Sequence, residues 1–248
     1  HYQEKTMTLM TTKTVREYAI EAPQTIPVFE KLGIDYCCGG NRPLGEACAA
    51  AKASVDAVLQ SLEAAIAQPP RPTERDLRTG SLAELVSYIV RTHHVFVRAQ
   101  VPEIERLLEK VHAKHGVNHS ELGEVRSTFH GLGQELMMHL MKEENILFPY
   151  IERMEESVLQ NDPILPPPFG SVLNPVRMME HEHEEAGAAL RSLRKASCDF
   201  TPPEDACASF RALYTALANF EHDLHRHIHL ENNVLFPKAL EMEDGCRN

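Results

Sequence analysis

The chain has 248 residues, enough for one large domain or for a medium domain and a small one. Asp and Glu number 36 against 25 Lys and Arg, and the net charge of −11 argues against nucleic acid or an anionic membrane as partner. No apolar run approaches the ~20 residues of a membrane span, and residues 1–12 lack the layout of a signal peptide. Six irregularly spaced cysteines do not resemble a disulfide framework, so we expect a cytoplasmic protein.

The N-terminal part of the chain, residues 12–68, has the pattern of a small helical domain. After a first short helix that begins near Val15, apolar spacing predicts a second at residues 26–32 and an Ala-rich third at 47–67. A segment rich in proline follows, and we interpret residues 69–79 as a linker. The second domain is then expected at residues 80–244.

Four long helical patterns fill this second part. Ser81 with Glu84 three residues later is a capping box at the first of them. A proline-rich crossover separates the second pattern from the third. No stretch alternates between apolar and polar residues over enough positions to predict a strand. The four helices are expected near residues 81–114, 120–154, 175–196 and 201–242. The sequence therefore predicts an all-α protein: a small N-terminal helical domain followed by a four-helix bundle.

One motif occurs twice, 88 residues apart, in the second and fourth helices. In each copy an apolar stripe is interrupted by a His and by a Glu four residues later, His139 with Glu143 and His227 with Glu231. Four residues are about one helical turn, a rise of roughly 6 Å, so both side chains point into the core. Burying a His and a carboxylate is costly without compensation, and the pattern indicates a metal.

The first and third helices carry matching histidines. His93 lies on the apolar stripe of the first helix, whereas the neighbouring His94 lies about 100° round the helix and is less well placed. In the third helix His183 lies on the stripe, and His181 falls among polar residues. A single buried His is commonly an ordinary core residue, but four in matching positions favour a metal site.

The predicted ligands are His93, His139, Glu143, His183, His227 and Glu231. Imidazole with carboxylate suits iron, manganese or zinc, and the absence of Cys argues against a structural zinc site. The two carboxylates could bridge two metal ions and leave positions open for an oxo or hydroxo bridge and a small ligand. The other histidines, among them His115 and His119, are interpreted as solvated or helix-end residues.

Two acidic residues precede the histidines of the repeat by four positions. Glu135 precedes His139, and Asp223 precedes His227. Either residue could accept a hydrogen bond from a ligand ring or line a proton path. Either could equally make an ordinary salt bridge, and both interpretations stay open. Glu182, beside the third-helix histidine, is a weaker candidate of the same kind.

A pair of adjacent cysteines, Cys37 and Cys38, lies between Tyr36 and two glycines. A disulfide between neighbours would form a strained ring, so a structural bridge is not expected. Flexible glycines would leave the thiols accessible, which favours redox or iron-transfer chemistry. The alternative is that both are small apolar side chains in a turn.

These motifs together resemble the RIC family, di-iron proteins for the repair of iron–sulfur clusters. The resemblance rests on Gly-Ile-Asp-Tyr-Cys-Cys-Gly-Gly and on the two His-x-x-x-Glu motifs that end in Leu-Phe-Pro, and it covers residues 12–242. It implies a ScdA-type N-terminal domain with the cysteine pair and a hemerythrin-like bundle. It also implies two non-haem irons on the six predicted ligands, with His181 competing with His183 for one position.

The resemblance further implies a cytoplasmic stress-response protein that restores clusters damaged by nitric oxide or oxidants. Its partners would be damaged iron–sulfur proteins, and it would supply iron rather than act as a classical enzyme. The alternative is a protein that binds or reduces nitric oxide. An oxygen carrier or sensor of the hemerythrin type is a third candidate, but its site usually has five histidines against the four counted here. Monomer and homodimer both stay open.

Overall fold

The computed structural model describes residues 11–68, 79–164 and 167–247. The all-α prediction is confirmed: within these ranges the only extended pairing is an isolated bridge between Thr14 and Pro43. Of the predicted linker only Thr79 is among the described residues, so the domain boundary there stays a prediction. No helix in the described part of the chain has the length and apolarity to cross a membrane.

Between residues 15 and 66, the described part of the N-terminal unit has four short α-helices. They are α1 Val15–Glu21, α2 Ile26–Leu32, α3 Leu44–Ala50 and α4 Val55–Ile66. The single helix predicted at 47–67 is wrong, because Lys52 adopts a left-handed φ of 55° and the chain turns there. Gly33, also left-handed at 64°, ends α2 and starts the loop that carries the two cysteines.

The second part is a bundle of four long helices, three of them interrupted by a π-helical turn. The first is α5 Leu82–Ile89, a π turn Val90–His94 and α6 Val95–His115; the second is α7 Glu121–Lys142, a π turn Glu143–Leu147 and α8 Phe148–Gln160. The third is α9 Leu173–Ala196; the fourth is α10 Ala208–Leu230, a π turn Glu231–Leu235 and α11 Phe236–Arg247. Helix α7 packs on α6 and α9, and α6 packs on α10.

Two helix starts show how local sequence sets the boundaries. The capping box at Ser81 is present, since Ser81 and Glu84 exchange hydrogen bonds with each other's backbone N–H. The fourth helix begins at Ala208, later than the predicted residue 201. Residues 198–200 all have positive φ, and two prolines follow, so the chain turns before the helix starts.

The π turns in the second and fourth helices occupy equivalent places in the sequence repeat. The N–H of Phe148 donates to the carbonyl of Glu143, and that of Phe236 to the carbonyl of Glu231, five residues back in each case. Each turn holds one residue more than an α-helical turn and so rotates the side chains around it. A proline follows each Phe, where the wider turn relieves the clash that proline causes in a regular helix.

The apolar interior is divided into two clusters that meet at the level of the π turns. Helices α6, α7, α10 and the C-terminal half of α9 build one cluster, together with Tyr36 and Leu62 of the N-terminal unit. Helices α5, α8, α11 and the start of α9 build the other. The N-terminal unit thus packs directly on the bundle, and the amide of Asn233 donates to the carbonyl of Tyr36 at 3.0 Å.

Candidate metal centre

Six buried side chains converge where the two apolar clusters meet. They are His94, His139, Glu143, His183, His227 and Glu231, each at most 4% exposed. They form two groups that share both glutamates. We call His94 and His227 with the glutamates the first group, and His139 and His183 with the glutamates the second group.

Within each group the two imidazoles point their Nε2 atoms at each other. The distance is 3.1 Å between His94 and His227 and also 3.1 Å between His139 and His183. Two nitrogen donors about 2.0–2.1 Å from one metal ion lie roughly 3 Å apart. Both pairs therefore have the spacing of two ligands on a single ion.

Each glutamate divides its two oxygens between the groups. Glu143 places Oε2 at 3.4 Å from His94 Nε2 and Oε1 at 3.3 Å from His139 Nε2. Glu231 places Oε1 at 2.9 Å from His227 Nε2 and Oε2 at 3.2 Å from His183 Nε2. Each carboxylate therefore lies between the two groups and belongs to both.

Three of the four carboxylate oxygens of the cluster are left without hydrogen bonds in the protein. Both carboxylate oxygens of Glu143 and Oε2 of Glu231 are buried and have no hydrogen-bond partner. Buried carboxylate oxygens are costly unless a hydrogen bond or a cation satisfies them. The orphaned oxygens beside imidazole nitrogens therefore fit a transition metal that accepts nitrogen and oxygen donors.

The buried carboxylates favour the protonated form of two of the imidazoles. Burial pushes the pKa of His94 down, but the carboxylates of Glu143 and Glu231 outweigh it and raise that pKa to about 10. The same balance raises the pKa of His139 to about 9. Burial instead lowers the pKa of His227. A metal ion that binds must therefore displace protons from imidazoles.

Three of the four rings are held from behind by an oxygen atom. Nδ1 of His94 lies 2.6 Å from Glu144 Oε1, and Nδ1 of His183 lies 2.7 Å from Asn232 Oδ1. These two acceptors occupy equivalent positions of the repeat, each directly after a glutamate of the cluster. A ring held at Nδ1 presents Nε2 to the metal, so both residues orient ligands.

The remaining two rings differ from each other. Nδ1 of His139 lies 2.7 Å from Glu182 Oε2, and Lys142 pairs with the other oxygen of that carboxylate. Nδ1 of His227 is buried without a hydrogen-bond partner. Its ring is instead stacked on His93 at a centroid distance of 5.5 Å. Glu182 and His93 each precede a cluster histidine by one residue, so they are counterparts in the two halves.

The first helix contributes His94 to the cluster, and the prediction of His93 is corrected by this geometry. Nδ1 of His93 lies 3.0 Å from Asp223 Oδ1, and the His93 side chain lies beside the cluster. The reason is the π turn Val90–His94, whose extra residue rotates the helix so that His94 faces inward. Asp223, for which both a ligand ring and an ordinary salt bridge stayed open, contacts His93, which lies outside the cluster.

Comparison with known proteins places the chain in a family. A hemerythrin HHE cation binding domain matches residues 85–239, and a ScdA_N domain, described as of unknown function, matches residues 11–66. The chain is 36% identical over 234 residues to the iron–sulfur cluster repair protein YtfE of Dickeya chrysanthemi, which covers 93% of this chain and 98% of the relative. The chain belongs to this family of iron–sulfur cluster repair proteins. Its relatives in Citrobacter koseri and Escherichia coli are each 36% identical, over 92% of this chain and 96% of the relative.

The family assignment confirms the resemblance that the motifs indicated. The hemerythrin-like domain implies binding of non-haem iron, and the two buried groups of His and Glu are compatible with it. Five of the six predicted ligands lie together in those groups, with His94 as the sixth member.

Glu135 and His181 lie outside the cluster. Glu135 is exposed and lines a cavity of about 290 Å³ whose wall also includes His139, Lys142 and Glu182. Its role on a proton path therefore stays a prediction. His181 is 69% exposed at its side chain and lies 3.6 Å from Glu185, so the geometry favours His183 over His181 as the ligand.

The cysteine pair contacts the helix that carries His183. Asp35 Oδ1 accepts hydrogen bonds from the backbone N–H groups of Cys37 and Cys38, both at 3.0 Å. The Cys38 thiol lies 3.4 Å from the carbonyl oxygen of His183, and the two sulfurs lie 3.8 Å apart. Cys37 is buried and Cys38 half-buried, which differs from the open loop expected of flexible glycines. The hydrogen bond with Cys38, together with burial, raises the pKa of the Cys37 thiol well above its usual value.

Proposed function

We propose that the protein repairs iron–sulfur clusters damaged by nitrosative or oxidative stress, and that it supplies iron from a centre of two ions. One observation carries the two-ion proposal: Glu143 and Glu231 each direct one oxygen to each pair of histidines. A single ion would leave two oxygens and two imidazoles unsatisfied. The relatives' name, iron–sulfur cluster repair protein, supports the activity.

Each ion has four protein donors in this proposal, two imidazoles and one oxygen from each glutamate. Iron bound by these residues would have coordination positions left open for a bridging oxygen or a small ligand. Glu144, Asn232 and Glu182 fix the rings, and the apolar clusters on both sides exclude water. The imidazoles can take up protons when iron leaves, because the pKa values of His94 and His139 are raised. Protonated imidazoles therefore balance the negative charge of Glu143 and Glu231 when no metal is bound, which suits a protein that gives iron away.

Cys37 and Cys38 have a place in this proposal as the group that receives iron or electrons and passes them on. Cys38 contacts the carbonyl of His183, so the loop lies against a ligand-bearing helix. Asp35, Cys37 and Cys38 also place their donor atoms close enough together to hold an ion in transit. The loop and the buried centre are thus neighbours in the folded protein.

The test is repair of a dehydratase whose iron–sulfur cluster has been damaged with nitric oxide, without any other iron source. We expect wild type and the matched control Cys198→Ser, which removes an exposed thiol, to restore activity. The double variant Cys37→Ser/Cys38→Ser should keep its iron and lose repair, whereas Glu143→Gln should lose both. Normal repair by the double cysteine variant would refute the delivery role. If wild type repairs nothing but consumes nitric oxide catalytically, the protein processes nitric oxide instead.

A further inference from the structure

A second group of donor side chains lies at one end of the bundle, away from the metal centre. His115 ends α6, and His119 lies in the turn that follows. Asp205 and Cys207 belong to the loop before α10, with Cys207 at the N-cap of that helix. Helix α6 has 21 residues, so at 1.5 Å per residue this end lies about 30 Å from His94.

Three of the four side chains converge on one small volume, and the fourth lies beside it. Donor atoms of His115, His119 and Asp205 all lie within 4.8 Å of one another, and Nε2 of His119 lies 3.1 Å from both carboxylate oxygens of Asp205. The Cys207 thiol lies outside this group of three but contacts it, with Sγ 3.2 Å from Nε2 of His115. Two donors on one tetrahedral zinc ion are separated by roughly 3.5 Å, so binding would require the three donors to contract and the thiol to turn toward them.

The surroundings orient the donors. Both imidazole rings pack on the buried ring of Phe210, with centroid distances of 5.4 and 5.3 Å. Glu121 Oε1 lies 2.9 Å from Nδ1 of His119 and so turns Nε2 of that ring toward Asp205, as carboxylates do behind metal-bound histidines. Cys207 lies at the first turn of α10, where backbone N–H groups favour a thiolate.

We propose that His115, His119, Asp205 and Cys207 bind a divalent transition metal of the zinc type, independent of the iron centre. Two imidazoles, one carboxylate and one thiolate are a donor set that zinc accepts, whereas a thiolate is a poor ligand for magnesium or calcium. The set is chemically distinct from the iron centre, which has no sulfur donor.

The site would join the two halves of the bundle at the end where each half turns back through its own loop, between α6 and α7 and between α9 and α10. His115 and His119 belong to the first half, and Asp205 and Cys207 to the second. The loop that supplies Asp205 begins with three consecutive residues of positive φ, Cys198, Asp199 and Phe200. A metal ion would hold this loop against the end of α6, and binding to the folded state alone would raise the thermal midpoint.

The experiment uses the full-length protein and Co²⁺ as a probe for zinc. A thiolate-to-cobalt charge-transfer band appears only where cysteine is a ligand, so the iron centre does not contribute to it. We expect the band in wild type and its displacement by Zn²⁺. Because Cys37 and Cys38 form a second thiol group, the comparison is made in the Cys37→Ser/Cys38→Ser background, where the band should persist. In that background the band should be lost when Cys207→Ser is added and persist when Cys198→Ser is added, which removes an exposed thiol.

A second variant distinguishes loss of a metal ligand from loss of folding. His119→Gln keeps the thiol and should weaken zinc binding by more than about 10-fold, because it removes a donor. Circular dichroism should show wild-type helix content in both variants. The proposal is overturned if wild type gives no band, if Cys207→Ser keeps it in the Cys37→Ser/Cys38→Ser background, if the band disappears with Cys37 and Cys38, or if His119→Gln binds zinc as tightly as wild type.

Discussion

The adjacent residues His93 and His94 give the sharpest test of the metal centre. His94 is a donor in the first group only, so His94→Ala should reduce iron from two ions per chain to one and leave the second group loaded. His93→Ala removes a hydrogen bond with Asp223 and a ring stacked on His227, but no donor. It should therefore retain both ions.

The expected size of the difference follows from these contacts. Removing a group that orients a ligand costs 10–100-fold in metal affinity, and removing one of four donors should cost more, about 100-fold or about 3 kcal/mol at the first ion. His93→Ala should stay within about 10-fold of wild type. The assay is iron per chain during competition with a chelator, with thermal melting as a control for folding. Two tightly bound ions in His94→Ala, or loss of an ion in His93→Ala alone, would refute the assignment of His94.

Three further predictions concern the shared glutamates, pH and stability. Glu143→Gln should lower iron content below that of His94→Ala, because it removes the charge that faces both groups; iron analysis checks this. Apparent affinity for Co²⁺ should rise as pH increases from about 6 to about 9, since neutral imidazole binds metal. The raised pKa values of His94 and His139, about 10 and about 9, keep both imidazoles largely protonated across that range, so each step up in pH removes part of this competition. Glu243→Ala should lower the free energy of unfolding by about 2–4 kcal/mol, because this buried carboxylate accepts hydrogen bonds from the Ser171 hydroxyl and the Val172 N–H.

Each of these has an outcome that contradicts it. A Glu143→Gln protein with one tightly bound ion would mean that this carboxylate serves one group only. Cobalt affinity that is constant with pH would show that the imidazoles are already neutral. Glu241→Ala removes an exposed carboxylate two residues away and is the matched control for Glu243→Ala. Equal thermal midpoints of the two variants would show that Glu243 does not stabilise the fold.

The helices were predictable because amphipathic spacing and end signals are local. The four long patterns appear in the structure, and the capping box at Ser81 forms as its sequence suggests. The errors fall where the backbone takes left-handed conformations at residues other than glycine. Lys52 splits one predicted helix, and the turn at residues 198–200 delays another. Such residues carry no distinctive side chain that would indicate the turn in a sequence.

The residues of the candidate metal centre could be predicted wherever the helix keeps regular α-helical spacing. Five of the six converging residues follow from an α-helical phase, whereas His94 depends on a π turn that adds one residue. The contacts of Glu144 and Asn232 with ligand rings could have been predicted from the repeat. Both residues occupy the same position in it, directly after a glutamate of the cluster. The contact between Cys38 and the carbonyl of His183 joins residues 145 positions apart and leaves no trace in a local pattern.

The way the two groups divide between the halves of the chain determines when iron can enter. Each group takes one histidine from the first two bundle helices and one from the last two, and the two glutamates come from opposite halves. A nascent chain that has emerged only as far as Gln160 offers one imidazole and one carboxylate to each ion, too few to retain it. Neither group is complete until the last helix has formed, because that helix supplies Glu231 to both. Under the two-ion proposal, bound ions would link the two halves of the bundle, and their release would remove that link.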